Sequence, residues 1–136
     1  MLLTKYDIRV SGVLFSLIFK DNLVLVDGKS GLGKTMLFKQ IKKDALVNNR
    51  NFLCLDYNDL QTNNVANVIG KVKSKVIFID NAEIVLNDMQ RTAISFDTAN
   101  QYVIFTHNTR GYKPNRLSFA TLEIKGNQGY LSYDLQ

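Results

Sequence analysis

The sequence predicts an α/β fold with a mainly parallel sheet. Three observations lead there. Short apolar runs at 23–26, 52–55, 76–79 and 102–105 are almost free of polar residues. Such runs fit strands buried on both faces, as parallel strands are. Segments with helical spacing of apolar residues lie between them, the alternation that builds a parallel sheet. Gly28, Asp80 and His107 follow closely on three of the runs. A parallel sheet gathers such residues at the carboxyl ends of its strands, where ligands bind.

The elements follow in chain order. Residues 6–19 read as one or two strands, bent at Ser11-Gly12, because Ile8 and Val10 alternate, then Val13, Phe15, Leu17 and Phe19. Leu23-Val24-Leu25-Val26 is a buried strand running into Asp27-Gly28. Residues 34–47 read as a helix with Leu37, Phe38, Ile41, Ala45 and Leu46 inward and Lys39, Lys42 and Lys43 elsewhere. Phe52–Leu55 is a second buried strand. Residues 59–70 read as a helix resting on Leu60, Val65, Val68 and Ile69, stopped by Gly70. Val76–Ile79 is a strand ending at Asp80. Residues 86–96 read as a helix with Leu86, Met89, Ala93 and Ile94 inward and Asn87 as cap. Tyr102–Phe105 is a strand ending at Thr106-His107-Asn108. Residues 107–118, with Gly111 and Pro114, read as loop. The end reads as a hairpin: Ala120, Leu122 and Ile124 alternate, Gly126-Asn127-Gln128-Gly129 turns, and Tyr130–Tyr133 returns.

Composition bounds the answer. The chain has 136 residues, enough for one domain spanning 1–136 with its own core. Hydrophobic residues make up 46% and charged residues 21%, which excludes a disordered or collagen-like chain. Cys54 is the sole cysteine, so no internal disulfide forms and a reducing, cytoplasmic setting is expected. No segment reaches the ~20 apolar residues of a membrane helix. Asp7 and Arg9 stand ahead of the apolar stretch 13–19, which argues against a signal peptide. The net charge of +5 suits an anionic partner without naming one.

Residues 28–35 are Gly28-Lys29-Ser30-Gly31-Leu32-Gly33-Lys34-Thr35, which is Gly, four residues, Gly, Lys and a hydroxyl. Each position has a physical reason. The glycines let the backbone curl so that successive N–H groups point at phosphate oxygens. The helix that follows turns its positive end on the same phosphates. Lys34 reaches the β and γ phosphates, and the Thr35 hydroxyl can ligate Mg²⁺. A buried strand before the motif and an amphipathic helix after it supply the context that the pattern requires.

The segment 23–38 resembles the phosphate-binding loop of P-loop NTPases, and the resemblance extends to residue 108. It implies a three-layer α/β/α domain, here with extra N-terminal strands and a C-terminal β-hairpin. Ile77-Phe78-Ile79-Asp80 resembles the Walker B segment, which implies a metal-site role for Asp80 beside Thr35. ATPases of the additional-strand (ASCE) class often carry Glu directly after that Asp. Here Asn81 stands there, and an amide orients a water but cannot take its proton. Glu83 is the candidate base, or else a solvated loop residue, so hydrolysis itself is left open. Tyr102–Asn108 resembles the strand that carries the γ-phosphate sensor. ABC-type ATPases end it in Thr-His and AAA+ proteins often in Asn. His107 and Asn108 are therefore sensor candidates, and Arg110 is a candidate to stabilise phosphate charge in cis or in a neighbouring subunit.

GTPases are argued down: Asp80-Asn81-Ala82-Glu83 and His107-Asn108-Thr109-Arg110 both depart from their motifs. No Leu-Ser-Gly-Gly-Gln signature of ABC-type ATPases is found. AAA+ proteins carry a helical lid where this chain reads as a hairpin. What fits is a minimal additional-strand ATPase core with AAA+ and ABC-like features, with strand 101–106 between the P-loop and Walker B strands. The expectation is an ATP-binding protein, an Mg²⁺-dependent ATPase serving as a small motor or switch. A homo-oligomer or a partner protein would close over the nucleotide. Two alternatives stay open. One is a nucleotide or nucleoside kinase, with Arg110, Lys113 and Arg116 as a lid. The other is a nucleic-acid-binding switch using Lys71, Lys73 and Lys75 or Lys39, Lys42 and Lys43, whose binding would weaken steeply with salt.

Overall fold

Three of the apolar runs become interior strands of one eight-stranded mixed sheet with helices packed against it, and the run 52–55 becomes one of its edges. The computed structural model describes residues 1–28, 33–62, 65–113 and 117–133. Its elements are β1 (Lys5–Val10), β2 (Val13–Ile18), β3 (Leu23–Asp27), α1 (Lys34–Val47), β4 (Phe52–Leu55), α2 (Tyr57–Thr62), α3 (Val65–Gly70), β5 (Val76–Ile79), α4 (Ala82–Val85), α5 (Asp88–Phe96), β6 (Gln101–Phe105), β7 (Leu117–Lys125) and β8 (Gln128–Tyr133). The strand order is β1-β2-β8-β7-β3-β6-β5-β4. β3, β4, β5, β6 and β7 pair in parallel, with β6 between β3 and β5 as the sequence predicts. β2 also pairs in parallel with β8, while β1–β2 and β7–β8 are antiparallel. No helix among the described residues is long and apolar enough to cross a membrane.

Each face of the sheet buries its own cluster. On one face α1 sets Leu37, Phe38 and Ile41 against Val24, Val26, Phe78, Val103 and Phe105. On the other, Ala82, Val85, Leu86 and Ile94 cover Leu23, Leu25, Ile77, Ile79 and Ile104. Alternate residues of β3, β5 and β6 thus serve opposite faces, which is why those runs carry no polar side. The β1–β2 hairpin turns at Ser11-Gly12, both at positive φ. It curls across the α1 face. Tyr6 of β1 meets Phe52 of β4 edge-on at 5.4 Å between ring centres, although the two strands are opposite edges of the sheet.

Several element readings are corrected. Leu46 is 79% exposed, because it lies half a turn round α1 from Leu37 and only 37, 38, 41 and 45 share the inward stripe. The helix expected over 59–70 is two helices, the first beginning at Tyr57, where Asp56 Oδ1 accepts the Asn58 and Asp59 N–H groups. The helix expected over 86–96 is α5, which starts at Asp88, and a separate short helix, α4, precedes it. Asn87 does cap α5, with Gln90 completing a reciprocal capping box. Leu86 is buried, but as the extended residue between the helices. Met89 is 82% exposed and Ala93 also faces out, whereas Arg91 and Ile94 are buried. Strand β7 begins at Leu117, inside the expected loop, because its pairing with β3 reaches back to Leu23.

Candidate functional site

The site is assembled at the carboxyl ends of β3, β5 and β6. Gly33 stands at the N-cap of α1 with φ of 80°, a left-handed conformation that glycine adopts without strain. That turn launches α1 so that Lys34 and Thr35 occupy its first turn. Lys29, Ser30, Gly31 and Leu32 lie outside the described residues. A cavity of about 270 Å³ opens here, lined by Gly33, Lys34, Thr35, Asp80, Glu83 and His107, with Met36, Asn81, Phe105 and Thr106 completing the wall.

Each side chain is held by a traceable contact. Lys34 Nζ donates to the Gly28 carbonyl at 3.0 Å and lies 3.0 Å from His107 Nε2. The Asp80 carboxylate is buried, and burial raises its pKa. The Thr35 hydroxyl and the Asn81 N–H donate to it and oppose that rise, while Asp56 and Glu83 add to it. Asn81 has φ of 51°, a turn that asparagine tolerates better than most side chains. The turn carries the chain from β5 into α4 and brings Glu83 round to the cavity. Glu83 Oε2 accepts from Thr106 Oγ1 at 2.7 Å and from the His107 N–H at 3.4 Å. The candidate base is therefore bonded to the end of β6. Asn108 and Arg110 lie just beyond, in the following loop. Asn108 Oδ1 accepts the Arg110 N–H at 2.9 Å, so it closes that turn, and the Arg110 side chain is exposed.

Comparison with known families decides the relationship. The model of the ATPase family associated with various cellular activities (AAA) matches residues 24–114, more than half of the chain. The chain belongs to the AAA family. No curated protein matches it. The matched stretch begins in β3 and ends beyond β6, so it contains every element that builds the cavity. Membership makes this a nucleotide-binding domain of the ATPase type, and it goes further than the sequence motifs, which reach only the additional-strand class.

Two residues of this AAA domain escaped the sequence reading. Asp27, the last residue of β3, accepts the Gly28 N–H at 2.7 Å and contacts His107 Nδ1 at 2.7 Å. Asp27 ends an apolar run as Asp80 does, but its partner His107 is 80 residues away and no local pattern links the two. Arg91 is 6% exposed, and its guanidinium reaches the carbonyls of Glu83 at 3.3 Å and Arg110 at 3.5 Å. It also pairs with Asp88 at 3.3 Å. The fork ties α5 to both the α4 segment and the loop after β6. A Cβ at Gly111, which has φ of 91°, would press on the Arg91 stem at 3.3 Å. Helical spacing pointed to Met89 instead, because a buried arginine is invisible to an apolar pattern.

Proposed function

We propose that this AAA domain binds Mg²⁺·ATP in the described cavity and hydrolyses it, as a small motor or switch module. The observation that carries the reading is the convergence of Lys34, Thr35, Asp80, Glu83 and His107 on one cavity, from three strand ends far apart in sequence. Gly28–Thr35 wraps the phosphates, and Lys34 leaves the Gly28 carbonyl to meet the terminal ones. Thr35 and Asp80 offer a hydroxyl and a carboxylate, hard oxygen donors that suit Mg²⁺. Among the described residues no three His, Cys, Asp or Glu side chains converge as a metal cage. That suits an ion which takes one carboxylate and completes its shell with water and nucleotide oxygens. Bound there, Mg²⁺ supplies charge neutralisation for the phosphates.

Glu83 is the group placed to orient or deprotonate a water, once it exchanges Thr106 for that water. Asn81 beside it can only orient. His107 meets the terminal phosphate at the end of β6, with Asn108 and Arg110 one turn further out. The exposure of that turn is what motivates a second copy or partner chain closing over it. The kinase alternative needs a lid from the loop beyond Asn108, and Arg116 lies outside the described residues. The nucleic-acid alternative is weakened at Lys42, which is paired with Asp56 and Asp59 at 3.7 and 3.4 Å.

The test is calorimetric titration with Mg·ATP and Mg·GTP, followed by phosphate release on the same samples, with Lys34→Ala as control. The expected result is Lys34-dependent binding with release that Glu83→Gln abolishes. Binding without release makes the domain a nucleotide-gated switch. Binding that ignores Lys34 overturns the reading.

A further inference from the structure

Asp27, His107 and Lys34 form a continuous polar chain beside the phosphate site. Asp27 Oδ1 lies 2.7 Å from His107 Nδ1 and 3.7 Å from Lys34 Nζ, and it also accepts the Gly28 N–H. Lys34 Nζ stands 3.0 Å from Nε2 and 3.4 Å from Nδ1 of the same ring, and so lies over its face. The protonation pattern follows from what each group can do. Burial alone would raise Asp27, but the Gly28 N–H, His107 and Lys34 outweigh it and hold it below the ordinary carboxylate value. It is therefore an acceptor only, and Nδ1 must carry a proton. Asp27 therefore selects the imidazole form that carries its proton on Nδ1.

We propose that Asp27 is a positioning residue of the phosphate site, which fixes His107 as its Nδ1–H tautomer and, through that ring and its own charge, holds the Lys34 ammonium back at the Gly28 carbonyl. The proposal rests on the nucleotide-binding reading above and adds a restraint to it. Phosphate must win Lys34 from three partners: a carbonyl that accepts its hydrogen bond, the face of an imidazole and the charge of a carboxylate. The carboxylate also puts a negative charge where an anion is to bind. Asp27 thus opposes phosphate binding, and its removal strengthens binding. A purely structural residue behaves the other way, since its loss disorders the site and weakens the ligand. The side chains of Asp27 and His107 are 55% and 53% exposed, so substituting Asp27 leaves both apolar clusters intact.

His107 is the sole histidine of the chain, so one imidazole gives one set of signals. The experiment is a two-bond ¹H–¹⁵N spectrum of histidine-labelled, nucleotide-free protein at about pH 8, above the ordinary imidazole range. Wild type is expected to show the proton on Nδ1, and Lys34→Ala to keep it there, because Asp27 remains. Asp27→Ala is expected to move it to Nε2, the form that an unrestrained histidine side chain favours. Asp27→Asn keeps an acceptor oxygen but removes the charge. It is expected to bind Mg·ATP about two- to fivefold more tightly, the range of an exposed ion pair released. A wild-type proton on Nε2, an unchanged spectrum in Asp27→Ala, or weaker binding in Asp27→Asn each overturns the proposal. Failure of every variant to bind nucleotide sinks the nucleotide reading instead, while the spectrum still decides whether Asp27 sets the tautomer.

Discussion

The Asp80 carboxylate is buried at the end of β5, and burial, with Asp56 and Glu83 adding to it, outweighs the Thr35 and Asn81 hydrogen bonds to leave its pKa raised. A carboxyl raised by folding costs stability above its unfolded pKa, and the cost is relieved as pH falls through its folded value. Asp80→Asn therefore has two effects of opposite sign. Without nucleotide the variant is expected to melt above wild type at neutral pH, because no buried charge remains. Its Mg·ATP affinity is expected to fall roughly tenfold or more, the scale seen when metal-supporting groups are lost. Differential scanning fluorimetry with and without Mg·ATP reads both. A lower Tm in the apo variant makes Asp80 a structural residue, whatever happens to binding. At this scale the sequence was a good guide where chemistry is local. Gly33, Lys34 and Thr35 were legible because the phosphate motif is contiguous, and Asp80 because an apolar run ends on it. Asp27 and Arg91 were not legible. Their partners, His107 for one and the Glu83 and Arg110 carbonyls for the other, are distant in sequence, and no local pattern encodes them.

Helices and strands were legible in proportion to how fully their burial is written as an apolar pattern long enough to read. β5 and β6 are buried along their whole length, so their apolar runs left no ambiguity. α4 is four residues long, less than the span over which a helical period can repeat, and it was missed. The β1–β2 hairpin was legible as strands but its docking on α1 was not, since the partners that dock it, Tyr6 and Asp44 among them, lie far apart in sequence. Tyr6 of β1 donates to Asp44 of α1, which also receives Asn48 and Arg50. Burial raises Asp44, yet these three donors outweigh it and leave its pKa lowered. A lowered carboxyl contributes stability above its unfolded pKa and loses it as pH falls through the folded value. Wild type is therefore expected to lose stability on the acid side, below about pH 4. Asp44→Asn is expected to be the less stable protein at neutral pH, by about 1–3 kcal/mol for hydrogen bonds to a charged group, with a flatter acid limb. Urea unfolding at neutral and acid pH measures this. Parallel acid limbs in the two proteins would show that the Asp44 contacts add nothing to the hairpin's docking.

Across the whole molecule, curvature decides what the sheet can enclose. Leu3 exchanges two backbone hydrogen bonds with the Gln101 side chain at the start of β6, of 2.7 and 2.6 Å, and Phe19 meets Phe78 of β5 edge-on at 6.4 Å. The chain on either side of the first hairpin thus returns over β5 and β6, and the Leu37, Phe38 and Ile41 side of α1 packs into the cluster so formed. The curl passes through the seam where β2 joins β8 in parallel. Phe15 lies opposite Gly129 there, and its ring covers the space that a Cβ on residue 129 would fill. Gly129 was read from sequence as a turn residue. It is a strand residue chosen for its missing side chain, which only the pairing of distant strands reveals. Gly129→Ala is expected to push the Phe15 ring out of the cluster it shares with Tyr6 and Leu17, at a cost of about 1–3 kcal/mol for overpacking. In a Phe15→Leu background the same substitution is expected to cost clearly less, since the ring it strikes is gone. The seam is remote from the cavity, so Mg·ATP affinity of the folded variant is expected to match wild type. Urea unfolding of the four proteins in this cycle measures the coupling. Equal costs of Gly129→Ala in both backgrounds would mean that the seam does not depend on the Phe15–Gly129 contact, and the curl would then rest on the Leu3–Gln101 pair and the aromatic cluster alone.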